Sequence, residues 1–546
     1  MNQITNDGNH ETVPNSRQLL PHAVGGTAMV ASAHPRAALI GFETMRRGGS
    51  VADAALAMAF AEWVLLPGMC GVGGDALALV RTADGNTKAL LGVGAAPAAL
   101  DPNAFASSGH LPSHGVLSAT VPAAVDACWR LHQNYGRLAW IDLLQPAIDL
   151  ARVGFPLTER VSWNIAKGAE LLLQYGDGRP FLVDGQPLGA GGLLVQHDLA
   201  ATLERIGHDP RDFYEGKIAE AIVECFQAGG SPMDGGDLAQ HQAEWAEPLR
   251  ARYRGWDIIQ MPPPSPGLTQ LQELLLLSGW EIGDLGAMDA QVIHLMVEAK
   301  KVAYRDRLDF LGDPRWVDVP VEHLLSRGYI AQRRRAIDLE RAAEDLPTAA
   351  AGTSYLAAAD VAGNAVAFIH SLSRPEFGCG VIVPDTGIVL NSRAGRSFTV
   401  GSGGPNSLAG GKRPASTLNA FMVERNGRLH LTGGTPGGDQ QAQWNFQAVV
   451  NWVDFRLNPQ QTVEAVRWHS SPGTDPRTAG VQDHMLWIEE GLPAATIAGL
   501  EKRGHRLRSL GRWARQGAMQ LIEIDEEHGV LRGATDPRAG GVAIGF

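Results

Sequence analysis

Cysteine is scarce in this 546-residue chain: Cys70, Cys128, Cys225 and Cys379 are far apart and form no CxxC pair. A disulfide framework has no support, and neither has a zinc cluster, which needs closely spaced thiolates. The four read as small buried hydrophobes. Basic residues are outnumbered, 46 Lys and Arg against 58 Asp and Glu, for a formal charge of −12. A nucleic-acid binder needs a basic face, so that class is excluded. No apolar run reaches the roughly 20 residues that span a bilayer. The longest, Ala54–Ala61 and Leu274–Leu277, read as core helix. The first residues, MNQITNDGNHETVPNSRQ, contain no apolar stretch of the kind a secretion signal carries. A cytoplasmic protein with no membrane partner is expected.

Charged residues are also few, 19% against 45% hydrophobic, which rules out disorder over most of the chain. Several nucleotide and hydrolase signatures are missing. Gly71–Gly74 lacks the Lys-Ser/Thr of a phosphate loop, and Gly410-Gly411-Lys412 has Asn406 where the first glycine belongs. There is no GxSxG elbow, no HExxH and no GxGxxG after a strand. No cofactor and no metal are expected.

What is present begins with helical patterning. Residues 1–24 read as a flexible arm. His34-Pro35 opens a helix that Gly48-Gly49 closes, and an Ala-rich helix starts at Asp53 and ends before Pro67. Met69–Asp75 is a glycine-rich turn before strands Ala76–Thr82 and Thr87–Val93. Helices dominate from Val121 to about Val317, including Leu199–Ile206, Ile218–Ala228, Leu268–Leu277 and Ala290–Leu308. Ala336–Ala351 is a charged, then Ala-rich connector. After it the period changes to two: Ser354–Asp360 and Ala365–Ser371 flank an Ala362-Gly363-Asn364 turn. Further strands are expected at Gly380–Val383, Gly387–Leu390, Ala420–Glu424, Leu429–Leu431, Met519–Ile524 and Val530–Arg532. Helices, strands, then both together point to an α+β fold of helices on antiparallel sheets.

Thr353 stands at the start of the first strand after the connector. Cutting the bond before it would free an α-amine with a pKa of about 7.7–8.0, against about 10.4 for a lysine. One residue would then carry both nucleophile and base. Gly352 leaves room for the hydroxyl to reach the preceding carbonyl.

Ordered motifs from about Gly26 to Gly545 carry a resemblance. They include SAHPRAALIGFETMRRGGSVADAALA, LPGMCGVGGDALALV, YGRLAWIDLLQPAIDLARVGF, EAKKVAYRDRLDFLGDP, TSYLAAADVAGNAV, KRPASTLNAFMV, LTGGTPGGD and GATDPRAGG. In these the chain resembles the gamma-glutamyltransferase (gamma-glutamyltranspeptidase) family of N-terminal-nucleophile hydrolases. The resemblance implies an αββα sandwich of two stacked sheets. It also implies a precursor that cuts itself between Gly352 and Thr353, giving a large subunit (25–352 after the arm) and a small one (353–546). The two would stay together. A heterotetramer is allowed by this scheme but is not legible in the sequence.

By the same resemblance Thr353 matches the nucleophile and Ser371 a second hydroxyl that contacts it. Gly437 and Gly438 match the pair whose N–H groups form the oxyanion hole, and Ser416 and Thr417 a serine pair in the substrate pocket. The head-group residues depart from the pattern. Val93 stands where the family binds the glutamyl α-carboxylate with Arg, Ser373 where it has Asn, and Ser397, beside Arg396, where it has Asp. A zwitterionic glutamyl head would lose both ion pairs. Arg374, Arg393 or Arg396 could instead pair with a carboxylate. A small anionic amide fits, as in the family's oxamate amidohydrolases, which release oxalate and ammonia in purine-nitrogen breakdown. Alternatives are a gamma-glutamyl hydrolase or transferase acting on glutathione-like substrates, a cephalosporin-type acylase, and a non-catalytic binding relative.

Overall fold

The computed structural model describes residues 19–343, 353–374, 376–401, 403–471, 473–474, 484–514 and 517–546. Gly352 and most of the connector lie outside them, as do residues 1–18 of the arm. The strands that build the frame are β1 (Ala23–Gly25), β2 (Ala28–Ser32), β3 (Asp75–Arg81), β4 (Thr87–Gly92), β5 (Glu244–Ala246), β6 (Leu249–Tyr253) and β7 (Trp256–Gln260). They continue with β8 (Ser354–Asp360), β9 (Ala365–Ser371), β10 (Ala420–Arg425), β11 (Arg428–Gly434), β12 (Gln520–Asp525), β13 (Val530–Thr535) and β14 (Val542–Gly545). Among the helices, α1 (Pro35–Arg46) and α2 (Val51–Leu65) precede β3, α3 (Gly267–Leu277) and α4 (Ala290–Phe310) follow β7, and α5 (Gln440–Val453) follows β11.

These strands form two seven-stranded antiparallel sheets. One runs β1-β13-β12-β11-β10-β7-β6, the other β14-β2-β8-β9-β3-β4-β5. Alternation decides which side chains meet between them, because successive residues of a strand point to opposite faces. Tyr355, Ala357 and Ala359 of β8 and Ala365, Ala367 and Ile369 of β9 pack against Ile259, Met422 and Ile522 of the other sheet. The intervening Leu356, Ala358, Val366 and Phe368 face away, into a core shared with α2. On the far side Phe421, Val423, Leu431 and Leu521 pack against α3, α4 and α5. The layers are thus helix, sheet, sheet, helix: the αββα sandwich.

Helix α2 explains the thickness of its layer. All 15 of its residues are buried and nearly all are apolar, as expected for a helix with no wet face. It begins with a capping box: the Ser50 hydroxyl accepts from Asp53 N–H at 3.0 Å and the Asp53 carboxylate accepts from Ser50 N–H at 2.8 Å. The start is therefore Val51 rather than Asp53. The turn of the β8–β9 hairpin uses Gly363 at φ 89°, with Asn364 N–H donating to the Asp360 carboxylate at 3.0 Å.

Two expectations need correction. The stretch expected to be helix-dominated contains β5, β6 and β7, which complete one edge of each sheet. Leu249–Tyr253 does alternate apolar and charged residues, but over only five positions next to long helical stretches. The end of the arm is also held: Leu19 and Leu20 N–H groups donate to Glu464, and β1 pairs with β13.

Gly434 of β11 marks a tight point between the sheets, since a Cβ there would lie 2.6 Å from the Tyr355 ring. Gly434→Ala should lower the urea-denaturation midpoint, at a cost of about 1–3 kcal/mol. An unchanged midpoint would show that the sheets have slack at this contact.

Candidate active site

The hairpin sets the site. Ser354 pairs with His370 in the β8–β9 register, so Thr353 and Ser371 fall on the face between the sheets while Ser354 and His370 fall on the face toward α2. The Thr353 hydroxyl donates to Ser371 Oγ at 3.2 Å and accepts from the Gln441 side-chain amide at 3.2 Å. Ser371 Oγ also accepts from Ser373 N–H at 2.7 Å. All four residues are buried. The threonine oxygen is thereby held in one orientation by groups from β9 and α5.

Behind the hairpin a second network fixes the strands that carry these groups. The Glu62 carboxylate of α2 accepts from Ser32 Oγ at 2.6 Å, Ser354 Oγ at 2.7 Å and His370 Nε2 at 2.8 Å. His370 Nδ1 accepts from the Trp63 indole N–H at 3.1 Å, which places the imidazole proton on Nε2. One buried carboxylate thus ties β2, β8 and β9 to the helix beneath them. Cys70 completes a trio with Glu62 and His370 that could offer metal ligands, and His294, Glu298 and His505 form another. Hydrogen bonds already engage both: His294 Nδ1 meets His505 Nε2 at 2.8 Å, and Glu298 pairs with Lys301 at 2.7 Å.

The loop from β11 into α5 is Thr435-Pro436-Gly437-Gly438-Asp439. Gly437 has φ 142° and Gly438 φ 59°, and a Cβ on Gly437 would lie 2.3 Å from the Trp444 ring, so the close turn needs glycine. Their carbonyls accept from Gln440 and Gln441 N–H at 3.1 Å each, while their own N–H groups donate to nothing among the described residues. Two adjacent open donors therefore sit just ahead of the helix that delivers Gln441.

Asp439 is buried between two cations, 2.9 Å from Arg307 of α4 and 3.0 Å from Arg396. Thr474 donates to it through N–H at 2.8 Å and Oγ1 at 2.9 Å. Burial alone would raise its carboxyl, but Arg307 and Arg396 hold it well below the usual carboxylate range. Both arginines line a cavity of about 240 Å³, together with Ser397, Thr399, Thr417 and Thr474. Thr353 is not one of its lining residues.

The other expected residues are placed as follows. Ser416 Oγ accepts from Leu418 N–H at 3.1 Å, and Thr417 Oγ1 accepts from Arg393 at 3.3 Å. Arg393 is fully buried and pairs with Asp75 at 2.7 Å, whose other oxygen accepts from Gly94 N–H at 3.2 Å. Val93, next to Gly94, packs in the apolar core between the sheets. Ser373 has φ 79° and a buried hydroxyl without a partner among the described residues. Arg374 is half-buried and does not line the cavity. Sequence reasoning missed Gln441, Asp439, Arg307 and Glu62. Of these only Glu62 carried a visible signal, a carboxylate within an apolar, Ala-rich helix.

Comparison with known proteins places this geometry. A gamma-glutamyltranspeptidase family model matches residues 37–546. The glutathione hydrolase-like YwrD proenzyme of Bacillus subtilis (strain 168) is 35% identical, over 96% of this chain and 99% of that one. The oxamate amidohydrolase proenzyme of Klebsiella pneumoniae subsp. pneumoniae is 32% identical, over 95% and 98%. The crystal structure of a cephalosporin acylase from Bacillus halodurans superposes with a TM-score of 0.90 at 32% identity, covering 100% of this chain and 99% of that one.

Glu62→Leu should strand the Ser32 and Ser354 hydroxyls and the His370 N–H in an apolar layer. Each lost acceptor costs about 1–3 kcal/mol, so thermal unfolding should begin several degrees earlier. Glu62→Gln, which can still accept two of the three bonds, should lose less. Equal losses in the two variants would show that shape rather than hydrogen bonding matters at this position.

Proposed function

The chain belongs to the gamma-glutamyltranspeptidase family, and we propose that it is a self-processing N-terminal threonine amidohydrolase acting on a small anionic amide such as oxamate. The observation that carries this is the Thr353 hydroxyl, held between Ser371 and Gln441 immediately before β8. In the precursor, Thr353 Oγ attacks the Gly352 carbonyl. The bond to the Thr353 nitrogen breaks, that nitrogen takes the hydroxyl proton, and water then hydrolyses the ester. The products are a large chain ending at Gly352 and a small chain starting at Thr353. Each main sheet takes strands from both sides of that junction, which would keep the two chains in one core.

In the mature protein the freed α-amine, near its ordinary pKa of about 7.7–8.0, takes the proton from its own hydroxyl. Oγ adds to the substrate amide carbon, and the developing oxyanion is met by the N–H groups of Gly437 and Gly438. A donor of this kind is worth about 3 kcal/mol of barrier. Collapse expels ammonia with the transferred proton and leaves an acyl-threonine ester. Water, deprotonated by the same amine, releases the acid. Ser371 and Gln441 keep Oγ aimed through both steps.

The small acid is favoured by Val93, Ser373 and Ser397 at the family's head-group positions, by a cavity of modest size, and by similarity to the oxamate amidohydrolase. A second reading, an acylase for a larger acyl group, is favoured by the full-length superposition on the cephalosporin acylase.

Purified wild-type protein should run as two bands on a denaturing gel, with the smaller one beginning at Thr353 by N-terminal sequencing, and Thr353→Ala should remain one chain. Persistent full-length wild-type chain after long incubation would instead favour a binding relative. Processed protein should release ammonia from oxamate above the Thr353→Ala background. Turnover of a cephalosporin side-chain amide or a gamma-glutamyl anilide in its place would transfer the assignment to the acylase or glutathione-type reading.

A further inference from the structure

We propose that Gln441 is a catalytic residue of ester breakdown, its side-chain amide stabilising Thr353 Oγ as the acyl group leaves. This rests on the amidohydrolase reading above and goes beyond the aiming of the hydroxyl described there. Ser371 and Gln441 both touch Oγ, but they differ in kind. A serine hydroxyl rotates and can give or take a hydrogen bond. The amide of Gln441 has its orientation decided at its other end.

Gln441 Oε1 accepts from the Asn419 backbone N–H at 3.0 Å. A backbone N–H only donates, so the amide oxygen must face Asn419 and the NH2 group must face Thr353. Turning the amide over would set donor against donor, with Gln441 and Asn419 both fully buried. The 3.2 Å contact between Gln441 Nε2 and Thr353 Oγ is therefore a donation in one direction only. Asn419 is itself held, just before β10. Asn445 lies one turn after Gln441 on the same face of α5, and its Nδ2 donates to the Asn419 carbonyl at 3.1 Å. The Asn419 side chain donates to Gln270 Oε1 of α3 at 3.3 Å, and that oxygen also accepts from Gln260 Nε2 of β7 at 2.6 Å. Two side chains of α5 thus grip the N–H and the C=O of one buried residue. Gln441 cannot swing away without leaving the Asn419 N–H unpaired.

A fixed donor at Oγ does not help every step equally. During attack it works both ways: it eases loss of the hydroxyl proton and makes the oxygen less nucleophilic. In the acyl-threonine ester, Oγ is a weak acceptor without a proton. Once water has added to the acyl carbon, the C–Oγ bond breaks and its electron pair goes to Oγ. The ammonium that formed when the amine took the proton of water returns that proton to Oγ. Gln441 keeps its own protons and stabilises the charge while it builds. Only an interaction that strengthens in the transition state speeds a step, so the gain falls on ester breakdown. The same step closes self-processing, where the leaving acyl group is the chain ending at Gly352.

The test uses wild type, Gln441→Met, which is of similar length without a donor, and Gln441→Glu, which keeps an acceptor for the Asn419 N–H. Gln441→Glu is read at about pH 9, where a carboxyl is ionised and has no proton to donate. Self-processing needs no added substrate. Both variants should stall as a full-length chain that splits when the native protein is treated with neutral hydroxylamine, which cuts esters and spares amides, and the small fragment should begin at Thr353. After this treatment, or long incubation, ammonia release from oxamate should show a burst of about one per Thr353. Steady-state kcat should then be about tenfold to a hundredfold below wild type. KM should fall with it, leaving kcat/KM within about threefold, because slowed deacylation lowers both constants together. A residue that merely packs would lower kcat/KM as far as kcat and leave no hydroxylamine-sensitive chain; that pattern overturns the proposal. Wild-type processing and kcat in both variants overturn it as well, while the hydrolase assignment stands. If wild type splits but ignores oxamate, the substrate reading fails and the hydroxylamine result alone decides for or against Gln441. A wild-type chain that never splits removes the proposal together with the self-processing reading.

Discussion

Register between β8 and β9 decides where the hydroxyl of Thr353 goes. With Ser354 opposite His370, Thr353 and Ser371 share the face between the sheets, and the intervening side chains face α2. Side-chain period in a strand is two, so a slip of one residue would turn the threonine away from Ser371 and into the helical layer. Glu62 guards against that slip. Its carboxylate collects donors from β2, β8 and β9 in a layer without water, where each lost bond is expensive. The polar residues at the front of the hairpin are placed by the polar residues behind it.

The two faces of the hairpin use buried charge differently. Behind it a carboxylate is saturated by neutral donors and an imidazole in one tautomer. In front, Asp439 is shared by Arg307 and Arg396, and the Asp75–Arg393 pair is balanced. Buried pairs of this kind contribute little to stability but are costly to break on one side. Asp439 stays ionised because two guanidinium groups outweigh its burial.

Family membership and the departures from the family pattern fit one picture. The residues that the proposed reading assigns to amide chemistry are in place: the Thr353 hydroxyl bonds to Ser371, and the Gly437-Gly438 turn packs against Trp444. In the same reading, Val93, Ser373 and Ser397 stand at the head-group positions. Val93 belongs to the apolar core between the sheets. Relatives at about a third identity include a glutathione hydrolase-like proenzyme and an oxamate amidohydrolase proenzyme, and a structural neighbour is a cephalosporin acylase. One sandwich thus recurs among proteins named for different substrates, as expected when function is set by site residues rather than by fold.

Much of this was legible along the chain. The β8–β9 hairpin, the caps of α1 and the end of the Ala-rich helix follow from local rules: alternation, a Gly-Asn turn, a proline at a helix start or just past a helix end. The family was legible through motif order. The strands β5 to β7 were not, because short edge strands owe their pairing to neighbours distant in sequence. Gln441, Asp439 and Arg307 were not either, since a glutamine, an aspartate and an arginine on helix ends look like solvated surface until packing buries them. The sequence by itself determined the family and most of the elements, because propensity, turn chemistry and motif order are written locally along the chain. Only the tertiary structure decided which arginines meet which carboxylates, because the partners of a buried charge are brought together from α4, the loop after β11 and the segment around Arg396.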